Sequence, residues 1–342
     1  MKYNHSYFSF CKQKILNCES FLDLLILLDL SEGEAHQLAQ NKRYKTFSIK
    51  KPNGKMRLIE DPFPELKEVQ GKIAFYLQTY YYFNKPVSSY GFILSPQGNK
   101  SPRNIYSNAM RHIGNAYLLN IDLKDFFHQI SKEEVMAIFE YVPFQFNKLM
   151  CSWLGEIATY KERLPMGSPL SPVLTNIACM SLDEELENYC QSHYITYTRY
   201  VDDLSFSTTT QPLEKHYKSL ENILHSHRFA INQQKITYYQ KEQLKEITGL
   251  ILKKVPEVKP EFLTEIKKDF ETIKFLLEYN FDNKNVSIEK LKEQIEGKLR
   301  FVGQIHRKED GIHKTLMKEY QKIIKTDPLW EVLSWKDAVY QI

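Results

Sequence analysis

The spacing of hydrophobic residues changes near residue 240, and this change is the clearest sign of domain organisation in the chain. Beyond that point hydrophobic residues recur every three or four positions, which predicts amphipathic helices. Two such runs are Phe262, Ile266, Phe270, Ile273 and Leu277, and then Ile288, Leu291, Ile295, Leu299 and Val302. We therefore place a domain boundary near residue 240 and expect a mostly helical C-terminal domain.

Before residue 240 the pattern mixes helices and strands. Phe21–Leu30 is apolar enough to form a buried helix, and Glu65–Phe83 has helical spacing. Two alternating runs around Pro-Asn-Gly make Phe47–Ile59 a predicted β-hairpin. Ala116–Asp122 is a short apolar run suited to a buried strand, whereas Ser88–Arg103 has the Gly, Pro and Ser content of a loop.

A turn rich in proline precedes the next predicted helix. Pro165–Pro172 should form a rigid turn, since Ser171 is a good N-cap residue and Pro172 suits the first helical position. We expect the helix to run on through Asp183 and Leu186.

Acidic residues stand at the ends of two predicted strands. Asp122 ends one strand, and Ile195–Ser207 alternates on both sides of Asp202 and Asp203, which predicts a hairpin with two carboxylates at its tip. Two Mg²⁺ ions about 4 Å apart, held by such hard oxygen ligands, are what phosphoryl transfer requires. The alternative is that Asp122 caps a strand and the pair are ordinary turn residues, because Tyr-x-Asp-Asp alone is a weak motif.

Composition identifies the chain as globular. Of its 342 residues, 42% are hydrophobic and 26% are charged, with 12 Gly and 14 Pro, which excludes global disorder and collagen-like classes. The length allows two or three domains, and no repeat of 20–50 residues indicates a solenoid or propeller.

The net charge of +4 is too small to identify a partner, but its distribution is informative. Asn41–Ile59 contains seven basic residues and Val69–Ile121 contains five more, and neither segment has an acidic residue. This acid-free stretch ends at Asp122. A region suited to a polyanion therefore leads directly into the predicted carboxylate site.

The cysteines and the N-terminal segment indicate the compartment. Five cysteines without the close pairs of zinc or redox sites fit a reducing cytosol. The most apolar N-terminal stretch, Phe21–Leu30, contains two aspartates and is far shorter than the ~20 residues needed to cross a bilayer. We expect a cytoplasmic protein with no membrane partner.

Three ordered motifs together resemble those of reverse transcriptases. Asn120–Phe127 (NIDLKDFF) is similar to the first catalytic motif, Leu164–Pro172 (LPMGSPLSP) to the template- and nucleotide-positioning motif, and Tyr200–Asp203 (YVDD) to the second catalytic motif. Two short signatures resemble the bacterial retron branch, which is related to group II intron enzymes. They are Asn108–His112 (NAMRH) and Ile247–Gly249 (ITG).

The resemblance implies catalytic and metal-binding roles for individual residues. Asp122, Asp202 and Asp203 would hold two Mg²⁺ ions, with the carbonyl oxygen of Leu123 as a further ligand. Lys235 matches a position where polymerases carry a general acid for pyrophosphate, although lysine is also common on surfaces.

Other positions are implied to bind the nucleotide. Lys51 and Arg57 would grip the triphosphate of the incoming nucleotide, unless they belong to a solvated basic hairpin. Phe127 would act as a steric gate against a ribose 2′-OH, a role compatible with being a core residue. Met166 and Gly167 belong to the positioning motif, and Met166 replaces the usual glutamine, which removes a hydrogen bond near the sugar.

The retron signatures imply residues for RNA recognition, namely Asn108, His112, Thr248 and Gly249. For each signature the alternative is structural: a loop with a polar turn for the first, and a strand followed by a glycine turn for the second.

The implied fold is an α+β right-hand polymerase, in which the antiparallel sheet of the palm is packed with helices. N-terminal helices and fingers, with part of the palm, would occupy residues 1–115, the palm with the catalytic motifs 116–240, and a helical, RNA-binding thumb 241–342. The implied function is RNA-directed DNA synthesis, primed from an RNA 2′-OH and yielding a branched RNA–DNA hybrid used in anti-phage defence.

The implied partners are a structured non-coding RNA that is both template and primer, the hybrid product, dNTPs and an effector protein. The alternatives are another bacterial defence reverse transcriptase, protein-primed or template-independent, and a non-catalytic RNA-binding scaffold.

Overall fold

The computed structural model describes residues 3–50, 54–278, 287–306 and 311–325. The chain divides into two compact units, Met1–Gln243 and Leu244–Ile342. Lys51, one of the predicted nucleotide-binding residues, lies outside the described residues.

The first unit begins with helices and a hairpin. Helices α1 (His5–Leu16), α2 (Phe21–Leu28) and α3 (Glu32–Gln40) precede strands β1 (Tyr44–Lys50) and β2 (Met56–Pro62), and then comes the long helix α4 (Pro64–Asn84). β1 and β2 pair antiparallel, as the alternating pattern predicts. Ser20 and Asp23 form a capping box that starts α2, which confirms a helix in the predicted segment.

The sheet that carries the carboxylates is built from four short strands among the described residues. They are β3 (Tyr117–Asp122), β4 (Thr196–Tyr200), β5 (Asp203–Thr208) and β6 (Thr237–Tyr239). The order is β4-β5-β3-β6, and each neighbouring pair is antiparallel. The other helices of this unit are α5 (Ile105–Met110), α6 (Lys132–Glu140), α7 (Lys148–Ala158), α8 (Ser171–Ala178), α9 (Met180–Ser192) and α10 (Glu214–Ser226).

The helix expected after the proline-rich turn differs from the prediction in two ways. It begins at Ser171 with Leu170 at the N-cap position, because the Ser171 hydroxyl donates to the carbonyl oxygen of Pro165 (2.8 Å) instead of capping the helix. It also ends at Ala178, and α9, which carries Asp183, is a separate helix.

The second unit begins with a small sheet that the sequence pattern did not reveal. Among the described residues, strands β7 (Lys245–Ile247), β8 (Leu250–Leu252) and β9 (Pro256–Val258) form an antiparallel sheet. Strands of three residues are too short to show an alternating pattern. Helices α11 (Pro260–Glu278), α12 (Ile288–Ile305) and α13 (Gly311–Ile324) follow, as the helical spacing predicts for α11 and α12.

Each unit has its own hydrophobic core. One cluster of buried side chains extends along the sequence from Ile15 to Ile231, and a second lies between Ile266 and Ile324. Residues of the predicted fingers and of the predicted palm share the first core, and the three-part division of the chain stays a prediction.

Two further findings concern membrane-spanning helices and the cysteines. In the described part of the chain no helix is both long and apolar enough to cross a membrane. All five cysteines are buried and unbridged. The sheets and helices together confirm the α+β fold class.

Candidate active site

The register of the central sheet brings the three aspartates together. Asp122 is the last residue of β3 and lies directly opposite Asp203, the first residue of β5. The main-chain N–H of Leu123 donates to the carbonyl oxygen of Asp202 (2.9 Å), which joins the end of β3 to the turn before β5. Asp122 is buried, and the other two are half-buried. Residues 80 positions apart in the sequence thus meet at one edge of the sheet.

Asp122 is held from the other side by residues that follow the strand pair in sequence. Lys235 Nζ lies 2.6 Å from Asp122 Oδ2, and Asn232 Nδ2 donates to Asp122 Oδ1 (3.0 Å). The main-chain N–H of Asn232 also donates to the carbonyl oxygen of Asp122 (2.8 Å). The sequence motifs pointed to Lys235 but not to Asn232. The signal for Asn232 was its position three residues before Lys235.

The negative charges in this corner disfavour one another. Burial, together with repulsion from Asp202 and Asp122, raises the pKa of Asp203 to about 7. Burial and Asp122 also raise the pKa of Asp202. Burial opposes the charge of Lys235, but its hydrogen bond and attraction to Asp122 outweigh that effect and raise the pKa of the ammonium group. The site therefore carries excess negative charge, which Lys235 and Arg57 partly offset.

The donor set suits a hard divalent cation. Three carboxylates at one point provide the oxygen ligands that Mg²⁺ prefers, and the raised pKa values of Asp202 and Asp203 indicate negative charge that a cation would stabilise. In the described residues, however, no group of three His, Cys, Asp or Glu side chains is already arranged to hold a metal ion. Both side-chain oxygens of Asp122 are engaged by Lys235 and Asn232.

A cavity of about 730 Å³ opens over the carboxylates. Most of the predicted nucleotide-binding positions line it, namely Arg57, Phe127, Met166 and Gly167, together with Lys235 and Leu123. Arg57 is exposed on β2, and Phe127 is half-buried in a short 3₁₀ turn after β3. The fold thus gathers into one space residues that the motifs place far apart along the chain.

The positioning motif is fastened to the hairpin strand β2. The main-chain N–H of Glu60 donates to the carbonyl oxygen of Met166 (2.7 Å), and the Arg163 guanidinium makes two hydrogen bonds to the buried Glu60 carboxylate (2.8 and 2.9 Å). Gly167 has φ +139°, and a Cβ there would lie 2.6 Å from the Glu60 carbonyl oxygen. Glycine is therefore required at this turn. Sequence reasoning missed the Glu60–Arg163 pair.

The predicted RNA-recognition residues of the NAMRH segment lie in the interior. Asn108 and His112 are each 1% exposed. His112 Nδ1 is 2.6 Å from Ser207 Oγ and Nε2 is 2.7 Å from Thr198 Oγ1, so the ring ties β4 to β5. Burial lowers the pKa of His112 to about 3. This placement serves the sheet beneath the carboxylates and does not support direct contact with RNA, and the recognition role stays a prediction.

The other RNA-recognition residues form the turn between β7 and β8 in the second unit. Thr248 and Gly249 both have positive φ (+47° and +83°), as a tight two-residue hairpin requires. The structural alternative for this segment, a strand followed by a glycine turn, describes its geometry. The role of Thr248 and Gly249 in RNA recognition stays a prediction.

Comparison with known protein families identifies the chain. The family model described as "Reverse transcriptase (RNA-dependent DNA polymerase)" matches residues 49–274, which include all three aspartates and the cavity. The chain belongs to the reverse transcriptase family. This reverse transcriptase carries Asp122, Asp202 and Asp203 inside the matched segment, and their catalytic role stays a prediction.

Several curated relatives of this reverse transcriptase are retron enzymes. It is 34% identical over 215 residues to the retron Ec86 reverse transcriptase of Escherichia coli, and 29% identical over 221 residues to the retron Ec83 enzyme of the same species. It is 26% identical over 230 residues to the retron Mx65 enzyme of Myxococcus xanthus. Each match covers 61% of this chain, and they cover 63%, 68% and 51% of the relatives. The matched part of this chain thus spans less than two thirds of the Ec86 enzyme, just over two thirds of the Ec83 enzyme and about half of the Mx65 enzyme.

Solved structures show a weaker likeness. A telomerase from Candida albicans, solved with a TWJ fragment of telomeric RNA, aligns with 85% of this chain and 58% of its own at 13% identity and a TM-score of 0.47. No functional inference follows from a likeness at this level.

Proposed function

We propose that this protein is a retron-type, RNA-directed DNA polymerase. The observation that carries the proposal is the juxtaposition of Asp122, Asp202 and Asp203 at the edge of one sheet, facing a cavity lined by nucleotide-binding motif residues. The family model and the retron relatives support the same conclusion.

The three aspartates would hold two Mg²⁺ ions, with the Leu123 carbonyl oxygen as a further ligand. When bound, divalent ions lower the barrier to in-line attack by stabilising the attacking and leaving oxygens of the transferred phosphate. The family generally uses divalent ions. The choice of Mg²⁺ and the number of ions belong to this proposal.

The remaining residues bind and orient the nucleotide. The Arg57 guanidinium offers the triphosphate a fork of donors, and Lys51 would contribute a second positive charge. The Phe127 ring excludes a ribose 2′-OH. The turn that contains Met166 and Gly167 helps to position the nucleotide. Lys235 keeps a proton on Nζ next to Asp122, where it can donate that proton to the departing pyrophosphate.

The nucleic-acid partners are also part of the proposal. A structured non-coding RNA provides both the template and a 2′-OH primer, the product is a branched RNA–DNA hybrid, and an effector protein acts with the hybrid in defence against phage. Likeness to retron enzymes and the NAMRH and ITG signatures support this branch. The helical second unit would bind RNA as the thumb.

Removing two carboxylates tests the catalytic assignment. We expect Asp202→Asn combined with Asp203→Asn to abolish dGTP incorporation on poly(rC) primed with oligo(dG), because the site loses two anionic oxygen ligands. Binding of the same template–primer, measured by filter retention, should survive. The matched control is Glu184→Gln with Glu185→Gln, which neutralises two adjacent exposed carboxylates on α9 and should leave incorporation unchanged.

Two outcomes would contradict the proposal. Normal synthesis by the double aspartate variant would show that the metal assignment is wrong, and absence of synthesis by the unmodified protein would favour an RNA-binding scaffold. Sequencing the co-purified nucleic acid tests the retron branch separately. A single-stranded DNA joined to one RNA supports it, whereas random-sequence DNA linked to protein indicates the protein-primed alternative.

A further inference from the structure

Phe92 is a large aromatic residue that the motifs do not explain. Its side chain is 50% exposed, and it lines the same cavity as the three aspartates. Its backbone has φ +51°, a left-handed conformation that residues other than glycine seldom adopt. A phenyl ring that faces water in a strained backbone is costly, and such outliers are concentrated at functional sites.

The exposure of Phe92 is imposed by the structure around it and is not a sign of a loose loop. The Gln78 side chain of α4 donates from Nε2 to the Phe92 carbonyl oxygen (2.8 Å) and accepts at Oε1 from the Leu94 N–H (3.0 Å). Just before Phe92, the Tyr90 N–H donates to the carbonyl oxygen of Arg199 (2.9 Å). Hydrogen bonds on both sides therefore fix the backbone segment that carries the ring.

The same segment is fastened to the turn that carries Asp202 and Asp203. Asn176 Nδ2 donates to the carbonyl oxygen of Gly91 (3.0 Å), and its Oδ1 accepts from Arg199 Nη1 (3.0 Å). Arg199 Nη1 also donates to the carbonyl oxygen of Val201 (3.2 Å). A buried pair with Asp183 holds the Arg199 guanidinium in place (2.6 and 2.8 Å). The position of Phe92 is thereby set relative to the catalytic carboxylates.

Phe92 also meets Phe127, the residue that the family resemblance makes a steric gate. The two ring centroids are 6.4 Å apart at an interplanar angle of 41°, within the range of interacting aromatic pairs. Together the rings form an apolar wall on one side of the cavity. Such a wall offers no hydrogen-bond partner, so a hydroxyl pressed against it loses its water without compensation.

We propose that Phe92 is a specificity-determining residue, which with Phe127 forms a two-ring wall that favours deoxyribonucleotides over ribonucleotides. This inference rests on the proposed polymerase function. Phe92 packs beside the Phe127 ring and covers part of the sugar, so that a nucleotide without a 2′-OH fits the wall and one with it does not. Its apolar surface, exposed in the free protein, is covered when the nucleotide binds.

The test compares dGTP with GTP, which differ only at the 2′ position, on poly(rC) primed with oligo(dG). Discrimination is the ratio of kcat/KM for dGTP to that for GTP. We expect Phe92→Ala to lower it between about twofold and about tenfold, the range of energies measured for aromatic pairs. Phe92→Leu, which keeps an apolar side chain and guards against misfolding of the alanine variant, should lower it less.

A double-mutant cycle shows whether the two rings act together. If they form one wall, Phe92→Ala should change discrimination less in a Phe127→Ala background than in the unmodified protein. Tyr194 provides the matched control, because it is another exposed aromatic residue at positive φ (+57°) but does not line the cavity. Tyr194→Ala should leave discrimination unchanged.

Failure of the proposed function and failure of the Phe92 inference give different experimental results. Absence of dGTP incorporation by the unmodified protein would overturn the proposed function, and this inference with it. Normal incorporation with the same discrimination in the unmodified protein and in both Phe92 variants would overturn this inference alone, and strictly additive effects of Phe92 and Phe127 would overturn the shared wall.

Discussion

Asp203 illustrates how neighbouring charges change the chemistry of a single side chain. An isolated aspartate is fully ionised near neutral pH, but burial and two adjacent carboxylates raise the pKa of Asp203 to about 7. Binding of a cation would therefore also release a proton. The tetrapeptide YVDD indicates the residue type, while this pKa depends first on burial and then on the charges of Asp202 and Asp122.

His112 is the residue whose predicted and observed surroundings differ most. The NAMRH signature implies contact with RNA, yet the imidazole lies between two hydroxyl groups inside the protein. Burial lowers its pKa to about 3, so the folded protein keeps the ring neutral where the unfolded chain, with a pKa near 6.5, would protonate it. Acid therefore favours the unfolded state through this residue.

A pH series tests this behaviour. The stability that neutral His112 contributes is complete above about pH 6.5 and falls by about 1.4 kcal/mol per pH unit as the pH drops from there toward the folded pKa. We expect the free energy of unfolding of the unmodified protein, minus that of His112→Gln, to decrease by this slope between pH 6.5 and 5. Denaturant titrations at each pH measure it.

The two free energies of unfolding are subtracted because protonation of Asp203 changes the stability in the opposite direction from protonation of His112. Its raised pKa makes the folded state bind the proton more readily, so acid stabilises the protein through Asp203. That contribution is present in both proteins and cancels in the difference. A difference that stays constant across the pH range would contradict a buried, neutral His112.

At the scale of elements, close contacts decide which glycines are essential. A Cβ on Gly91 would lie 2.6 Å from Val201 Cγ2 and 2.7 Å from the Val201 main-chain nitrogen, inside the turn that carries Asp202. A Cβ on Gly71, in the middle of α4, would meet no atom within 4 Å. The sequence places Gly71 in a predicted helix and Gly91 in a predicted loop, but only their tertiary neighbours show what a Cβ would meet.

Alanine should therefore lower kcat at Gly91 and raise the free energy of unfolding at Gly71. Gly91→Ala must displace the catalytic turn, and a shift of about 1 Å at reacting groups can lower kcat about 100-fold. Gly71→Ala should leave kcat unchanged and stabilise the protein by about 0.5–1 kcal/mol, because alanine favours the helix. Steady-state dGTP incorporation and thermal unfolding measure the two effects. Equal kcat values for both variants would contradict the contact at Val201.

Pattern reasoning succeeded for elements with local signals. The hairpins β1–β2 and β4–β5 were predicted because alternation and turn residues are local, and α11 and α12 because their spacing is regular. It failed for the division between α8 and α9 and for the strands β7 to β9, whose ends depend on tertiary pairing.

At the scale of the whole molecule, the two units have separate cores. The first cluster contains Leu174 and the second contains Leu299, and both side chains are almost completely buried. Because each cluster lies within one unit, the units should respond separately to the loss of core contacts.

Calorimetry of the whole chain tests this separation. Leu299→Ala removes buried methyl groups and should cost about 3 kcal/mol, which lowers the melting temperature of one transition by at least about 5 °C. Leu174→Ala should lower the other transition instead. A single transition that both variants shift together would show that the two units unfold as one.

The sequence by itself indicated the family and most of the secondary structure and predicted the three carboxylates of the site, since these depend on residue types at short spacing. Only the tertiary structure decided that His112 is buried, that Asn232 and Lys235 hold Asp122, and that Phe92 faces the cavity beside Phe127. These are contacts between residues far apart in the chain, set by strand register and packing. In the sequence, an acid-free segment leads into Asp122. In the folded protein, Arg57 and the three aspartates line the same cavity.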